Sequence, residues 1–302
     1  MLDIVFKCGQ PVAAVPGGST FNAMVSLGRT LGKKFPEVDV TMITQMGRDK
    51  VSDIILGFMK ENNLRTDQVE SVEGVQSPVS MAMLDENNDA TYEFFRDHKA
   101  PEFKAGDLEF GPGDIILFGS FFAISKATGD ETRKLVRKAR EAGATVYYDI
   151  NFRKSHLLDL PQTIGAIEEN CTLSDIVRAS AEDIGYIYGS SDAQEVYEKH
   201  ISKLCGTFIC TRGADAIEVF SAGRRDVFEI EKVTTVSTIG AGDNFNAGTI
   251  YSLVRDGIFR EQASCISPEQ WGRIVPTATR FSQAVCQSMF NYVDPDFADN
   301  VL

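Results

Sequence analysis

Histidine, tryptophan and cysteine are scarce in this chain of 302 residues, which contains three His, one Trp and six Cys. The cysteines form no Cys-x-x-Cys pair, and the histidines are far apart without a His-Glu-x-x-His pattern, so the sequence disfavours a zinc site and favours free thiols. Runs of 18 apolar residues and a signal sequence are also lacking. These absences predict a cytoplasmic protein without a membrane segment.

Positive charge is the second deficit, because 30 Lys and Arg face 43 Asp and Glu and leave a formal net charge of −13. A surface that binds nucleic acid or an anionic membrane needs an excess of basic side chains, so neither partner is expected. The hydrophobic share of 43% predicts a globular chain that buries a large core.

Strand patterns alternate with helix patterns along most of the chain, which predicts an α/β protein whose parallel sheet is covered by helices on both faces. Helices are predicted from Ser19 (with Ser19 or Thr20 as N-cap), over 51–62 and over 128–141. The run VDVTMITQMG reads as one buried strand, and a hairpin is predicted at 222–224. Two strands around a polar turn at 86–89 interrupt the alternation and suggest a small β appendage.

The segment from Val236 to Gly257 carries the clearest chemistry. A β-type run leads into Gly240-Ala241-Gly242-Asp243, and apolar residues then recur at helical spacing. Glycines at the start of a helix leave backbone N–H groups and the positive end of the helix dipole open to an anion. A carboxylate there either caps the helix or accepts a proton from an attacking hydroxyl, as phosphoryl transfer to an alcohol requires.

Two competing nucleotide motifs fail in this sequence. A Gly-x-Gly-x-x-Gly fingerprint would need Gly or Ala at Phe245, and a Gly-x4-Gly-Lys-Ser/Thr loop does not occur. Hydride transfer on a dinucleotide and Walker-type hydrolysis are therefore both disfavoured.

TIGAGDNFNAG resembles the C-terminal signature of the ribokinase-like (pfkB) carbohydrate kinases, and PGGSTFNAMVSLGRTLG resembles their N-terminal glycine-pair signature. The two motifs stand in the family's order, and the resemblance covers nearly the whole chain. It implies one Rossmann-like ribokinase-fold domain over 1–302, with a small β-sheet lid formed by about 4–16 and 76–98. It also implies ATP and Mg²⁺.

The resemblance extends to individual residues. It implies that Asp243 is the general base and that Gly240, Ala241 and Gly242 form the anion hole, while Asp3, Gly17, Gly18 and Asn22 match positions that contact sugar hydroxyls. On the nucleotide side, Thr211 and Gly213 resemble a loop that meets the ATP phosphates, and Gln283 lies in a block that resembles the adenine side. Ser180 and Asp183 replace the family's Asn-x-x-Glu, and a water-mediated metal role is expected of Asp183.

The blocks around Phe94, Arg96, Asn151 and Arg153 are similar to those of fructokinases and 2-keto-3-deoxygluconate kinases and are expected to contact the substrate. In the second group a tyrosine helps to bind the substrate carboxylate, and Phe94 at the matching position has no hydroxyl. Phosphorylation of fructose to fructose 6-phosphate is therefore the first expectation. A 2-keto-3-deoxygluconate kinase, a ribokinase-type kinase and a non-catalytic sugar-binding sensor remain alternatives.

The chain departs from the family pattern in two places. Only Met1 and Leu2 precede Asp3, the matched aspartate, so the strand and Gly-Glu pair that relatives carry before it are expected to be missing. Ser237-Thr238-Ile239 replaces the usual Asp-Thr-Thr, which puts activation by K⁺ in doubt. A homodimer through the lid is a further expectation from the resemblance.

Overall fold

The computed structural model describes residues 1–84, 90–95, 97 and 101–302. The chain forms two compact units. Unit 1 comprises Met1–Gly106, Thr234–Ala247 and Arg280–Leu302, and unit 2 comprises Asp107–Val233 and Gly248–Thr279. The single-domain organisation stays a prediction.

The first part of unit 1 contains short strands around two amphipathic helices. Its elements are β1 (Leu2–Lys7), β2 (Gln10–Pro16), α1 (Ser19–Lys34), β3 (Val40–Thr41), β4 (Thr44–Gly47), α2 (Lys50–Glu61), β5 (Leu64–Arg65), β6 (Val69–Val72), β7 (Val79–Leu84) and β8 (Ala90–Phe95). One four-stranded sheet has the order β2-β1-β7-β8, in which β1 and β7 are parallel and the outer pairs are antiparallel. Strands β2, β7 and β8 fall within the ranges predicted for the lid, and β1 begins two residues before the first of them. The role of these strands as a lid stays a prediction. The turn at 86–89 lies outside the described residues.

The predicted single strand over VDVTMITQMG is wrong. The run divides into β3, which pairs with β5, and β4, which pairs with β6, and each pair forms a separate two-stranded parallel sheet. Within the run only Val40, Met46 and Gly47 are buried. The change of pairing partner between Thr41 and Thr44 depends on residues further along the chain, which local hydrophobicity does not report.

Unit 2 contains the strand–helix alternation that the sequence predicted. Its elements are β9 (Ile115–Gly119), α3 (Gly129–Glu141), β10 (Thr145–Asp149), α4 (Leu160–Leu173), β11 (Ile176–Ser180), α5 (Ala181–Tyr188), α6 (Ala193–Val196), β12 (Phe208–Thr211), β13 (Ala216–Ser221) and β14 (Arg224–Glu229). Short 3₁₀ turns cover Phe121–Ala123 and Lys154–Asp159, and a π-helical turn covers Tyr197–Ile201.

The sheet of unit 2 has six strands in the order β14-β13-β12-β11-β10-β9. Strands β9 to β12 are mutually parallel, and β13 and β14 add an antiparallel hairpin, as predicted around 222–224. All five residues of β10 are buried, which is typical of a parallel strand with both faces covered. The α/β fold with a mostly parallel sheet is therefore confirmed.

The last quarter of the chain is mainly helical. Its helices are α7 (Ala241–Arg255), α8 (Arg260–Ala263), α9 (Pro268–Cys286) and α10 (Phe297–Val301). The β-type run predicted before Gly240 is wrong, because the N–H groups of Val236 and Ser237 both donate to the carbonyl of Cys286 and make no strand ladder. Among the described residues, no helix combines the length and apolarity needed to cross a membrane.

Candidate active site

Asp243 is the third residue of α7, and its side chain is buried with an exposed fraction of 6%. The Asn22 amide on α1 donates from Nδ2 to Asp243 Oδ2 at 2.9 Å, across 221 positions of sequence. The other amide atom, Asn22 Oδ1, is buried without a hydrogen-bond partner in the described ranges. A buried acceptor of this kind costs free energy unless a ligand hydroxyl occupies the space beside it.

The turn before α7 requires glycine at position 240. Gly240 has a φ of +79°, and a Cβ on it would lie 2.8 Å from the carbonyl oxygen of Asn291. The N–H of Ala241 donates to the carbonyl of Thr238. The next two N–H groups, those of Gly242 and Asp243, belong to the first turn of α7 and stand at the positive end of its dipole. This part of unit 1 therefore combines a glycine-containing helix N-terminus with a buried carboxylate, and the role of Gly240, Ala241 and Gly242 as an anion hole stays a prediction.

Asp3 on β1 lies directly against Gly17. The Ser80 hydroxyl on β7 donates to Asp3 Oδ1 at 2.6 Å, and a Cβ on Gly17 would lie only 2.0 Å from Asp3 Oδ2. The space that a side chain at position 17 would fill is thus occupied by the carboxylate. Burial raises the pKa of Asp3 above its ordinary value of 3.8, and the hydrogen bond from Ser80 opposes that shift only in part.

The predicted N-cap at Ser19 or Thr20 is wrong. Helix α1 begins at Ser19, and the capping position is Gly18, whose φ of +129° is accessible to glycine but strained for other residues. Gly18 has no side chain to accept a hydrogen bond, so the first N–H groups of α1 have no side-chain cap. The glycine pair therefore serves two needs: Gly17 gives room to Asp3, and Gly18 gives the backbone its turn.

The structure places the remaining predicted residues of unit 1 as follows. Phe94 lies on β8 opposite Ser80 and is 53% exposed, and Gln283 lies half-buried on α9. Arg96 lies outside the described residues. Substrate contact by Phe94 and Arg96 and nucleotide contact by Gln283 stay predictions.

In unit 2, Asn151 and Arg153 follow the end of β10. Asn151 is buried, has a φ of +39°, and its Nδ2 has no partner in the described chain, whereas Arg153 is exposed. Backbone strain and an unsatisfied buried donor are features that occur at functional sites, and substrate contact by Asn151 and Arg153 stays a prediction.

Ser180 and Asp183 form a reciprocal cap at the start of α5. The Ser180 hydroxyl accepts from the N–H of Asp183 at 3.0 Å, and Asp183 Oδ2 accepts from the N–H of Ser180 at 2.7 Å. Burial raises the pKa of Asp183, although the positive charge of Arg178 opposes the shift. The pair thus has a structural task here, and its nucleotide and metal roles stay predictions.

Sequence reasoning missed Arg178, which lies on β11 with its side chain buried. Its guanidinium contacts Asp149 Oδ1 at 3.1 Å and the Thr211 hydroxyl at 2.5 Å, and thus links the middle of β11 to the last residues of β10 and β12. Gly213, just beyond Thr211, has a φ of +58°. The sequence signal that could have identified Arg178 is a single arginine between apolar residues of a buried strand. Ligands of open α/β sheets bind at the carboxyl ends of the strands.

The family model for pfkB family carbohydrate kinases matches residues 8–288. The chain belongs to the pfkB family of carbohydrate kinases. A fructokinase from Rhizobium leguminosarum bv. trifolii is 28% identical over 277 residues, which are 90% of this chain and 81% of that protein. The structure is similar to aminoimidazole riboside kinase from Salmonella enterica, with a TM-score of 0.79, 22% identity, and coverage of 99% of this chain and 95% of that one.

A second solved structure, the fructokinase from Vibrio cholerae O395 in its fructose, ADP and calcium ion bound form, gives a TM-score of 0.81 at 16% identity. The alignment covers 96% of this chain and 91% of that chain. At such identities these likenesses concern the fold, and they confirm the predicted ribokinase-like architecture. ATP is implied by membership of the kinase family.

Within the ranges that the structure describes, no group of three or more His, Cys, Asp and Glu could hold a metal. Mg²⁺ commonly binds through one or two carboxylates together with substrate phosphates and water, so such a site does not need three protein ligands. Asp183 is the candidate in unit 2, although one of its oxygens is already engaged in the cap.

Proposed function

We propose that this pfkB-family kinase transfers the γ-phosphate of ATP to the primary hydroxyl of a small sugar, with fructose to fructose 6-phosphate as the first choice. The observation that carries the proposal is the Asn22–Asp243 pair at the start of α7, where a buried carboxylate stands in the first turn of a helix. Fructose is favoured because the relatives named above include fructokinases and because Phe94 offers no hydroxyl to a substrate carboxylate.

In the proposed mechanism, Asp243 accepts the proton of the sugar hydroxyl while the Asn22 amide holds the carboxylate in place. The hydroxyl oxygen forms a bond to the γ-phosphorus, the bond from that phosphorus to the bridging oxygen of ADP breaks, and the proton remains on Asp243. The backbone N–H of Gly242, within the predicted Gly240–Gly242 anion hole, stabilises the negative charge on the transferred group. When bound, Mg²⁺ supplies further neutralisation of the phosphates.

Two hydrogen-bond acceptors, Asn22 Oδ1 and Asp3 Oδ2, are proposed to bind the sugar hydroxyls. Asn22 Oδ1 is buried without a partner in the described sequence, and Asp3 Oδ2 lies in the space left by Gly17. Both groups accept hydrogen bonds, as the hydroxyls of a sugar require. A neutral polyol satisfies these acceptors without adding a second negative charge.

The first experiment is an ADP-release screen over ketoses, aldoses, keto-acid sugars and nucleosides, with and without K⁺. Fastest turnover on fructose supports the first choice, and fastest turnover on 2-keto-3-deoxygluconate or a riboside replaces it. Sugar binding without ADP release would contradict the kinase proposal and favour a sensor. The K⁺ arm tests whether Ser237-Thr238-Ile239 still permits activation.

The second experiment is Asp243→Asn, which keeps the volume and removes the base. General-base assistance typically contributes about 10²–10⁴-fold, so kcat should fall by at least about 100-fold while sugar affinity changes little. Asp53→Asn is the matched control, because Asp53 is also an aspartate in the first turn of a helix, α2. Normal turnover by Asp243→Asn would refute the mechanism.

A cytoplasmic location and a homodimer through the strands at 4–16 and 76–98 are also part of the proposal. Val12 and Phe95 are each more than half exposed on these strands. Sedimentation analysis of the protein tests the dimer, and a strictly monomeric species would contradict it.

A further inference from the structure

Asn244, next to Asp243 on α7, is fully buried with an exposed fraction of 0%. Its Nδ2 donates to the carbonyl of Gly240 at 2.8 Å and to the carbonyl of Asn291 at 2.8 Å, and its Oδ1 accepts from the Ser26 hydroxyl. One amide therefore ties the turn before α7 to the C-terminal segment and to α1. All of these residues belong to unit 1.

Helix α1 holds the start of α7 at two successive residues. Asn22 and Ser26 are four positions apart on α1 and share one face, and they contact Asp243 and Asn244 respectively. The Ser26 hydroxyl also accepts from the N–H of Val293 at 3.1 Å. The base and the turn that precedes it are thus held by the same helix face.

The turn needs such a restraint because of its composition. Gly240 and Gly242 flank Ala241, and glycine loses more conformational freedom on folding than any other residue. Backbone donors stabilise a transition state only when they are already oriented, so a flexible anion hole would lose most of its effect. The Gly240 carbonyl accepts from the backbone N–H of Asn244 at 2.9 Å, as in an ordinary helix turn, and also from the side-chain Nδ2 at 2.8 Å. The Asn244 side chain extends this restraint to Asn291 and Ser26.

We propose that Asn244 is a positioning residue for phosphoryl transfer, which orients the Gly240–Gly242 turn and Asp243 through its bonds to Gly240, Asn291 and Ser26. The inference rests on the proposed function. The same contacts explain why position 244 carries an amide. An aspartate there would place a carboxylate oxygen against the carbonyl oxygens of Gly240 and Asn291, to which the amide Nδ2 now donates.

The test is Asn244→Asp, compared with Asn170→Asp. Asn170 is an equally buried asparagine whose Nδ2 donates to the Ala123 carbonyl in unit 2, so the control matches the loss of a buried amide donor. Steady-state kinetics use the sugar that the wild-type protein phosphorylates fastest, and equilibrium dialysis counts the sugar-binding sites per chain. Rates are then expressed per binding-competent site, which removes the contribution of unfolded protein.

A misplacement of about 1 Å at a reacting centre costs about 100-fold in rate, so kcat per site should fall by about 10- to 100-fold in Asn244→Asp. KM should remain within about threefold, because an interaction realised in the transition state lowers kcat and kcat/KM together. Asn170→Asp should keep kcat per site within about threefold of wild type.

Three outcomes decide the matter. Equal kcat per site in Asn244→Asp and wild type, or equal losses in both Asp variants, would overturn the positioning role. If Asn244→Asp binds no sugar, Ser26→Ala takes its place, and an unchanged kcat per site in Ser26→Ala overturns the proposal. A wild-type protein that releases no ADP with any sugar would instead refute the proposed function, independently of Asn244.

Discussion

Gly17→Ala tests the sugar site with a single methyl group. A Cβ at position 17 would lie 2.0 Å from Asp3 Oδ2, and ordinary contact begins at 3.4 Å, so the oxygen has to move by at least 3.4 − 2.0 = 1.4 Å. Asp3 Cγ would also lie 2.9 Å from this Cβ, so the whole carboxyl group has to shift. Because the Ser80 hydroxyl holds the other oxygen at 2.6 Å, that shift also strains this hydrogen bond.

The expected effect falls on sugar affinity more than on stability. A hydrogen bond to a charged group contributes about 1.5–3 kcal/mol, which corresponds to about 10- to 150-fold in the dissociation constant. Isothermal titration calorimetry with fructose, or with the best sugar of the screen, measures this change. Differential scanning fluorimetry of the same samples reports whether the fold is retained.

Gly57→Ala is the matched control, because Gly57 lies inside α2 and a Cβ there meets nothing within 4 Å. This substitution should leave sugar affinity unchanged and stabilise the protein by roughly 0.5–1 kcal/mol. If Gly17→Ala binds sugar within about twofold of wild type, the assignment of Asp3 as a sugar ligand is refuted.

Two further predictions concern the turn before α7 and the pH dependence of stability. In Gly240→Ala, a residue with a φ of +79° acquires a Cβ that would lie 2.8 Å from the Asn291 carbonyl oxygen. The free energy of unfolding in urea should therefore fall by about 1–3 kcal/mol, and kcat should fall as well. An unchanged free energy of unfolding would contradict the strain. Because the pKa of Asp3 is raised in the folded state, its protonated form stabilises the protein fully below 3.8, and this contribution is lost as the pH rises through the raised pKa. The stability of wild type relative to Asp3→Asn should therefore fall as the pH rises above 3.8, and a pH-independent difference between the two proteins counts against the shift.

Local patterns predicted the elements whose residues are close in sequence. The helix over 128–141, the strands that became β9 and β10, and the hairpin at 222–224 were correct, because periodicity and turn chemistry are set by neighbouring residues. The errors occurred where partners are distant. In the run before Gly240, the N–H groups of Val236 and Ser237 donate to the carbonyl of Cys286 and do not join a sheet. At the start of α1, the N-cap is Gly18 and not Ser19.

The sequence by itself determined the family and predicted which residues carry the chemistry, because the glycine-rich turn, the aspartate after it and the Gly17-Gly18 pair are contiguous motifs. Only the tertiary structure decided what those residues contact. Asn22 meets Asp243 across 221 positions, Asp3 occupies the space left by Gly17, and Arg178 joins Asp149 to Thr211. These contacts depend on strand register and helix packing, which are properties of the folded chain that no local window of sequence contains.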